Sequence, residues 1–261
     1  MIQQRTLEEF LKEDRDIQWC LHDMKAVHIK EVAKGLWEGT AMAVCDGSFK
    51  ETFGTAAWII RTNEGEASIR GCVHCPGAPD DHSSYRSELA GIYAVLTVTN
   101  KLCKFFQIKD GRITLGCDGL SALNVSMTEE PSLASDIPNF DLVAAIYNRT
   151  RVSTLEWDIK FVKGHQDNCS SSYDIWAWLN EQMDLLAKQH MKYALNAPRH
   201  YSVKEEPWQL WVAGRKITGK IQQSIYSLVH DQEANLYWAT KKDVAKESLP
   251  LLDRAAIGTA M

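Results

Sequence analysis

Four carboxylates occupy positions from which they could do chemistry together. Asp46 follows the apolar run 41–45 and precedes Gly47-Ser48, and Glu88 lies in Ser84-Tyr85-Arg86-Ser87-Glu88-Leu89, in the first turn of a predicted helix. Asp118 follows the apolar run 113–117 and precedes Gly119, and Asp184 sits in Asn180-Glu181-Gln182-Met183-Asp184-Leu185-Leu186-Ala187. Singly, each has an ordinary use: a turn residue, a helix-dipole carboxylate, a helix N-cap, a solvated helix face. Brought together they repel and raise one another's pKa, a costly arrangement unless cations occupy it. Hard carboxylate oxygens suit Mg²⁺ or Mn²⁺. Two such ions can hold a phosphate between them, activate a water and stabilise a leaving 3′ oxygen.

His165 is the next candidate. It follows Gly164 and precedes Gln166-Asp167-Asn168, a polar run after a predicted strand. From there an imidazole can reach the edge of a metal site and titrate near neutrality; the plainer alternative is an exposed loop histidine. Cys72-Val73-His74-Cys75 invites a zinc reading, but no second CxxC exists to supply four ligands. Small buried hydrophobes are the better account of these cysteines, and seven scattered over the chain do not make a disulfide framework.

These residues need elements to place them. Residues 1–40 read as helical pieces, broken by Gly35 and Gly39. Three strand candidates follow, at 41–45, 52–61 and 68–73, separated by Asp46-Gly47-Ser48 and Asn63-Glu64-Gly65, as in an antiparallel meander. Ser83 or Ser84 can cap a helix running to about 107. A strand at 112–117, short helices at 120–127 and 140–150, a fifth strand at 155–162 and a long helix carrying Trp176, Leu179, Met183, Leu186 and His190 on one face complete the series. The order predicts an α/β fold: a mixed five-stranded sheet, its first three strands antiparallel, flanked by helices. Asp46 and Asp118 are expected on adjacent strands. Residues 207–240 form a coda of a short strand at 208–212, a helix at 220–229 and a further element at 235–240.

The 261 residues carry a net charge of −5, with ordinary apolar and charged fractions of 45% and 24%. That charge argues against coating nucleic acid by electrostatics alone, but not against a metal-dependent enzyme, because bound cations reverse the local field. Charge is uneven: between Lys188 and Lys220 there are seven Lys or Arg and two Glu. No uninterrupted apolar run of membrane-spanning length and no signal-peptide pattern is evident, so an intracellular setting is the expectation.

Residues 41–195 resemble the ribonuclease H family, in particular the RNase H domains attached to reverse transcriptases. The motifs that carry the resemblance are Cys45-Asp46-Gly47-Ser48, Tyr85-Arg86-Ser87-Glu88-Leu89, Cys117-Asp118-Gly119, Gly164-His165 and the run 180–187, each on the element the family requires. The resemblance implies a ribonuclease H-like domain at 41–195 between an N-terminal helical extension at 1–40 and a basic C-terminal extension at 196–261. It implies metal ligation by Asp46, Glu88, Asp118 and Asp184, and a proton-transfer or product-release role for His165. The implied activity is endonucleolytic hydrolysis of the RNA strand of an RNA–DNA hybrid, leaving 5′-phosphates, with two Mg²⁺ and with Mn²⁺ as a substitute. The 2′-hydroxyl contacts fall to Gly47, Ser48, Ser87 and Gly119, the glycines letting backbone approach the minor groove. No basic, Trp-bearing handle lies between 119 and 150, so grip on the hybrid falls to Lys188, Lys192, Arg199 and the basic coda. Residues 196–261 loosely resemble the region after the RNase H domain in some retroelement-like reading frames, which implies a reverse transcriptase domain upstream in a polyprotein.

Two other readings compete. An integrase or transposase of the same fold would cut DNA, but uses three carboxylates with a Glu on the last helix. A decayed, inactive RNase H module would bind nucleic acid or serve structurally, but here all four carboxylates and the histidine are intact.

Overall fold

The computed structural model describes residues 6–126, 137–164, 174–195, 201–203, 209–212 and 214–241. His165 and Arg199 lie outside the described residues. Cα packing divides the chain into two compact units, one of 1–133 with 139–207 and one of 134–138 with 208–261.

The first unit is built on one six-stranded mixed sheet. Its strands are β1 (His22–Val27), β2 (Ala41–Lys50), β3 (Phe53–Thr62), β4 (Ser68–His74), β5 (Arg112–Cys117) and β6 (Glu156–Phe161), in the spatial order β1-β4-β3-β2-β5-β6. β2, β3 and β4 pair antiparallel as the meander predicted, while β5 and β6 run parallel to β2. The helices are α1 (Leu7–Glu13), α2 (Ile29–Glu38), α3 (Ser84–Phe106), α4 (Leu120–Ser126), α5 (Phe140–Arg151) and α6 (Ile175–Ala194). This is the mixed sheet flanked by helices that the sequence led us to expect.

The strand count differs by one. Residues 1–40 were expected to be helical, yet His22–Val27 is a strand that pairs antiparallel with β4. Its residues are half-buried or exposed, and a bulge interrupts its register between His22 and Lys25. An edge strand of this kind shows no clean alternation of apolar and polar residues. Residues 6–40 are therefore part of the main unit. Trp58 Nε1 donates to the Cys20 carbonyl over 2.8 Å, and Trp19 stacks on Tyr93 with ring centroids 5.0 Å apart.

Both faces of the sheet are covered, which is why β2 is apolar without interruption from Ala41 to Cys45. Met42, Val44, Ala57, Ile59 and Cys72 pack under Leu179, Met183 and Ala187 of α6. The opposite face receives α3, where a Cβ at Gly91 would lie 3.1 Å from that of Cys45 and 3.4 Å from that of Ala56. Ser83 caps α3 by accepting from the Arg86 N–H at 3.0 Å. α3 is long and apolar enough to cross a membrane by length and composition, but its burial inside the fold identifies it as a core helix.

In the second unit β7 (Trp211–Val212) and β8 (Arg215–Lys216) form a hairpin turning through Gly214, whose φ is +79°. α7 (Ile221–Lys241) follows. The separate elements expected at 220–229 and 235–240 are one continuous helix.

Candidate active site

Each of the four carboxylates arrives on a different element. Asp46 is on β2, Asp118 follows the last residue of β5, Glu88 is in the first turns of α3 and Asp184 is midway along α6. The parallel register pairs Val44 with Gly116, so Asp46 and Asp118 stand side by side on adjacent strands, as predicted. All four line one cavity of about 480 Å³, with Ser48, Lys163, Asn180, Glu181 and Lys188 among the other walls.

The electrostatics follow from this crowding. Burial, then the charges of Asp118 and Asp184, push the Asp46 carboxyl up to about 8. Glu88 is held far above the ordinary carboxylate range by burial and then by Cys117, Asp46 and Asp118. The Cys117 thiol donates to Glu88 Oε2 over 3.1 Å. Ligand atoms of Glu88, Cys117 and Asp118 lie within 4.8 Å of one another. One cation moderates the cluster: Lys188 Nζ donates to Asp184 Oδ2 at 2.7 Å, and its charge also lowers the Asp46 pKa. Asn180, buried, directs Nδ2 at Asp46 Oδ2 over 3.4 Å. An all-oxygen set in which the neighbours raise Asp46 and Glu88 is a fit for hard divalent cations such as Mg²⁺, and Asp46, Glu88, Asp118 and Asp184 are the residues that would hold them.

The glycines beside the carboxylates serve a purpose the sequence reading did not give them. A Cβ at Gly47 would lie 2.6 Å from the Glu88 backbone nitrogen, and one at Gly119 would lie 3.0 Å from Glu88 Cγ. Glu88 is thus clasped between Gly47, which leaves no room for a side chain, and Gly119, which leaves little. Ser87 is fully buried and its hydroxyl donates to the Ser83 carbonyl over 3.0 Å, so it closes the start of α3 and does not face the cavity. Ser48 does line the cavity.

Sequence reasoning missed the residues that hold α3 in place. The fully buried Arg86 forms a two-pronged pair with Asp141 of α5, at 2.8 and 2.6 Å, and also donates to Asn139 Oδ1 at 3.0 Å and to the Pro76 carbonyl at 2.6 Å. Arg86 stands in a motif already quoted, but its partner lies 55 positions away on a helix that reads as merely apolar. Lys163 and Asn180 were likewise not marked as lining the site, because polar residues at a strand end or on a helix face carry no local signal; Lys188, read as a grip on the hybrid, lines it as well.

No family model matches the sequence, and no curated protein matches it. Among solved structures the chain is similar to RNase H1 from the halophilic archaeon Halobacterium salinarum NRC-1, at 18% identity and a TM-score of 0.39, over 59% of this chain and 98% of that one. It is also similar to the N-terminal RNase H domain of rv2228c from Mycobacterium tuberculosis, solved as a fusion with maltose-binding protein. There the identity is 11% and the TM-score 0.38, over 61% of this chain and 98% of that one. Both of these structural neighbours are ribonucleases H.

Proposed function

We propose that the chain is a divalent-metal-dependent endonuclease of the ribonuclease H type, hydrolysing the RNA strand of an RNA–DNA hybrid to leave 5′-phosphates. The observation that carries this reading is the convergence of Asp46, Glu88, Asp118 and Asp184, from four separate elements, on one cavity. Two Mg²⁺, or Mn²⁺ in their place, would neutralise the cluster and supply the positive charge that a scissile phosphate and its attacking water need. The chain's own residues orient and protonate. Asn180 fixes the Asp46 carboxyl, Lys188 holds Asp184, and His165 carries a proton to or from the departing group. Ser48 and the main chain at Gly47 and Gly119 meet the 2′-hydroxyls; Ser87, being buried, supports the helix behind them. The partner is an RNA–DNA hybrid, and the intracellular setting and an upstream reverse transcriptase domain in a retroelement polyprotein complete the reading.

The test is cleavage of a strand-labelled hybrid with Mg²⁺. Only the RNA strand should be cut, and Asp46→Asn or Asp118→Asn should abolish cutting. Either variant retaining more than a few per cent of activity would count heavily against the ligand assignment. Equal cleavage of an all-DNA duplex would favour the integrase-like reading, and binding without cleavage the inactive-module reading.

A further inference from the structure

A second group of potential ligands lies where β1, β4 and α6 meet. His22 of β1, His74 at the end of β4 and His190 of α6 each bring a ligand atom within 4.8 Å of the others. The rings are in mutual contact, with centroids 4.4 Å apart for His22 and His74, 4.9 Å for His74 and His190, and 5.3 Å for His22 and His190. The Tyr201 hydroxyl stands 3.3 Å from His22 Nε2.

His190 distinguishes this cluster from a stack of core aromatics. Its Nδ1 lies 3.2 Å from Asp23 Oδ2. Donation from Nδ1 to that carboxylate leaves Nε2 with a lone pair, and Nε2 is buried with no hydrogen-bond partner, in a side chain only 6% exposed. A carboxylate behind a histidine whose other nitrogen is left open is the usual support of a metal-binding imidazole. The chain is shaped to place that carboxylate. Asp23 has a left-handed φ of +50°, at the bulge that breaks the β1–β4 register, and bulges re-aim side chains in this way.

We propose that His22, His74 and His190 form a Zn²⁺ site, with Asp23 supporting His190 and the fourth position falling to a water beside Tyr201. Three imidazoles suit zinc and do not suit Mg²⁺. The site would clamp the edge strand β1 to the sheet and to α6. It is distinct from the carboxylate cluster: His190 lies six residues beyond Asp184, about 9 Å along α6, and no ligand is shared. The Cys72-Val73-His74-Cys75 run contributes only its histidine to this trio. Cys75 packs elsewhere, near Gly54. Cys72 lies beside Asp23 and His190.

The full chain, stripped with chelator and returned to buffer with excess Mg²⁺ to fill the carboxylates, is titrated with Zn²⁺ against a chromophoric chelator and separately with Co²⁺. About one Zn²⁺ per chain should bind, raise the melting temperature and compete out the visible bands of tetrahedral Co²⁺. His190→Gln should lose the ion; His22→Asn, at a half-buried edge position, does the same work if His190→Gln fails to fold. Asp23→Asn should weaken binding about 10- to 100-fold, while Asp118→Asn should bind zinc as the wild type does, whether or not the nuclease reading holds. No zinc retained, zinc retained equally by His22→Asn, or zinc lost in Asp118→Asn would each overturn the site.

Discussion

In the metal-free protein Asp46 keeps its proton. Its carboxyl titrates near 3.8 when unperturbed and at about 8 in the fold, raised by burial and then by the neighbouring charges. Between those values the folded state binds a proton that the unfolded chain has lost. Stability in chelator therefore falls as pH rises from about 4 to about 8. Glu88, raised by burial, adds to the fall with the same sign. Thermal melts in chelator should show this decline in the wild type, a shallower one in Asp46→Asn, and a higher melting temperature for Asp46→Asn at the alkaline end. Mg²⁺ should flatten the wild-type curve much more than the variant's. A variant that melts below the wild type at pH 8 without metal would mean that charge repulsion is not what limits this site. His165 belongs to the same scale. As a general acid–base group its loss in His165→Ala should lower turnover roughly ten- to a hundredfold and leave metal affinity unchanged; a loss as deep as that of Asp46→Asn would make it a ligand or a structural residue.

At the scale of elements, Glu88 is only as well placed as the start of α3. Arg86 and Asp141 lock that turn to α5, both buried and doubly bonded. Removing one partner strands the other charge in the interior, so Asp141→Ala or Arg86→Ala should cost about 3–5 kcal/mol in denaturant unfolding. Arg86→Lys should not restore it, because an ammonium cannot match the two-pronged geometry. Unchanged stability in Asp141→Ala would show that the pair is dispensable. The same elements explain what could be read beforehand. Asp46 and Asp118 were legible because each adjoins an apolar strand and a glycine, and Glu88 and Asp184 because each sits in a helical pattern. The Arg86–Asp141 pair was not, since a contact 55 residues long leaves no periodic trace. β1 was not, since its six residues at the sheet edge, largely exposed, lack the alternation that betrays a strand. Gly47 was read only as letting backbone approach substrate; that its lack of a side chain also admits the backbone of α3 was not legible.

For the whole molecule, the sixth strand changes what the smallest working piece is. β1 covers the β4 edge, and the Cys20 carbonyl takes the indole N–H of the fully buried Trp58. A chain starting at residue 41 would expose that edge and leave the indole unpaired in the interior. It should melt well below the full chain and self-associate on gel filtration; a monomer melting within a few degrees of the parent would show that residues 1–40 are an accessory after all. The order β1-β4-β3-β2-β5-β6 also sets a timetable. β1 leaves the ribosome before the other strands of its sheet, yet Val27 finds its partner only in Ser68. At synthesis rates of about 5–20 residues per second it waits several seconds for β4 to be made. A strand that must wait unpaired is safest when polar, and His22, Asp23 and Lys25 supply that. The weak patterning that hides β1 from a reader of the sequence also keeps the nascent chain from aggregating through it.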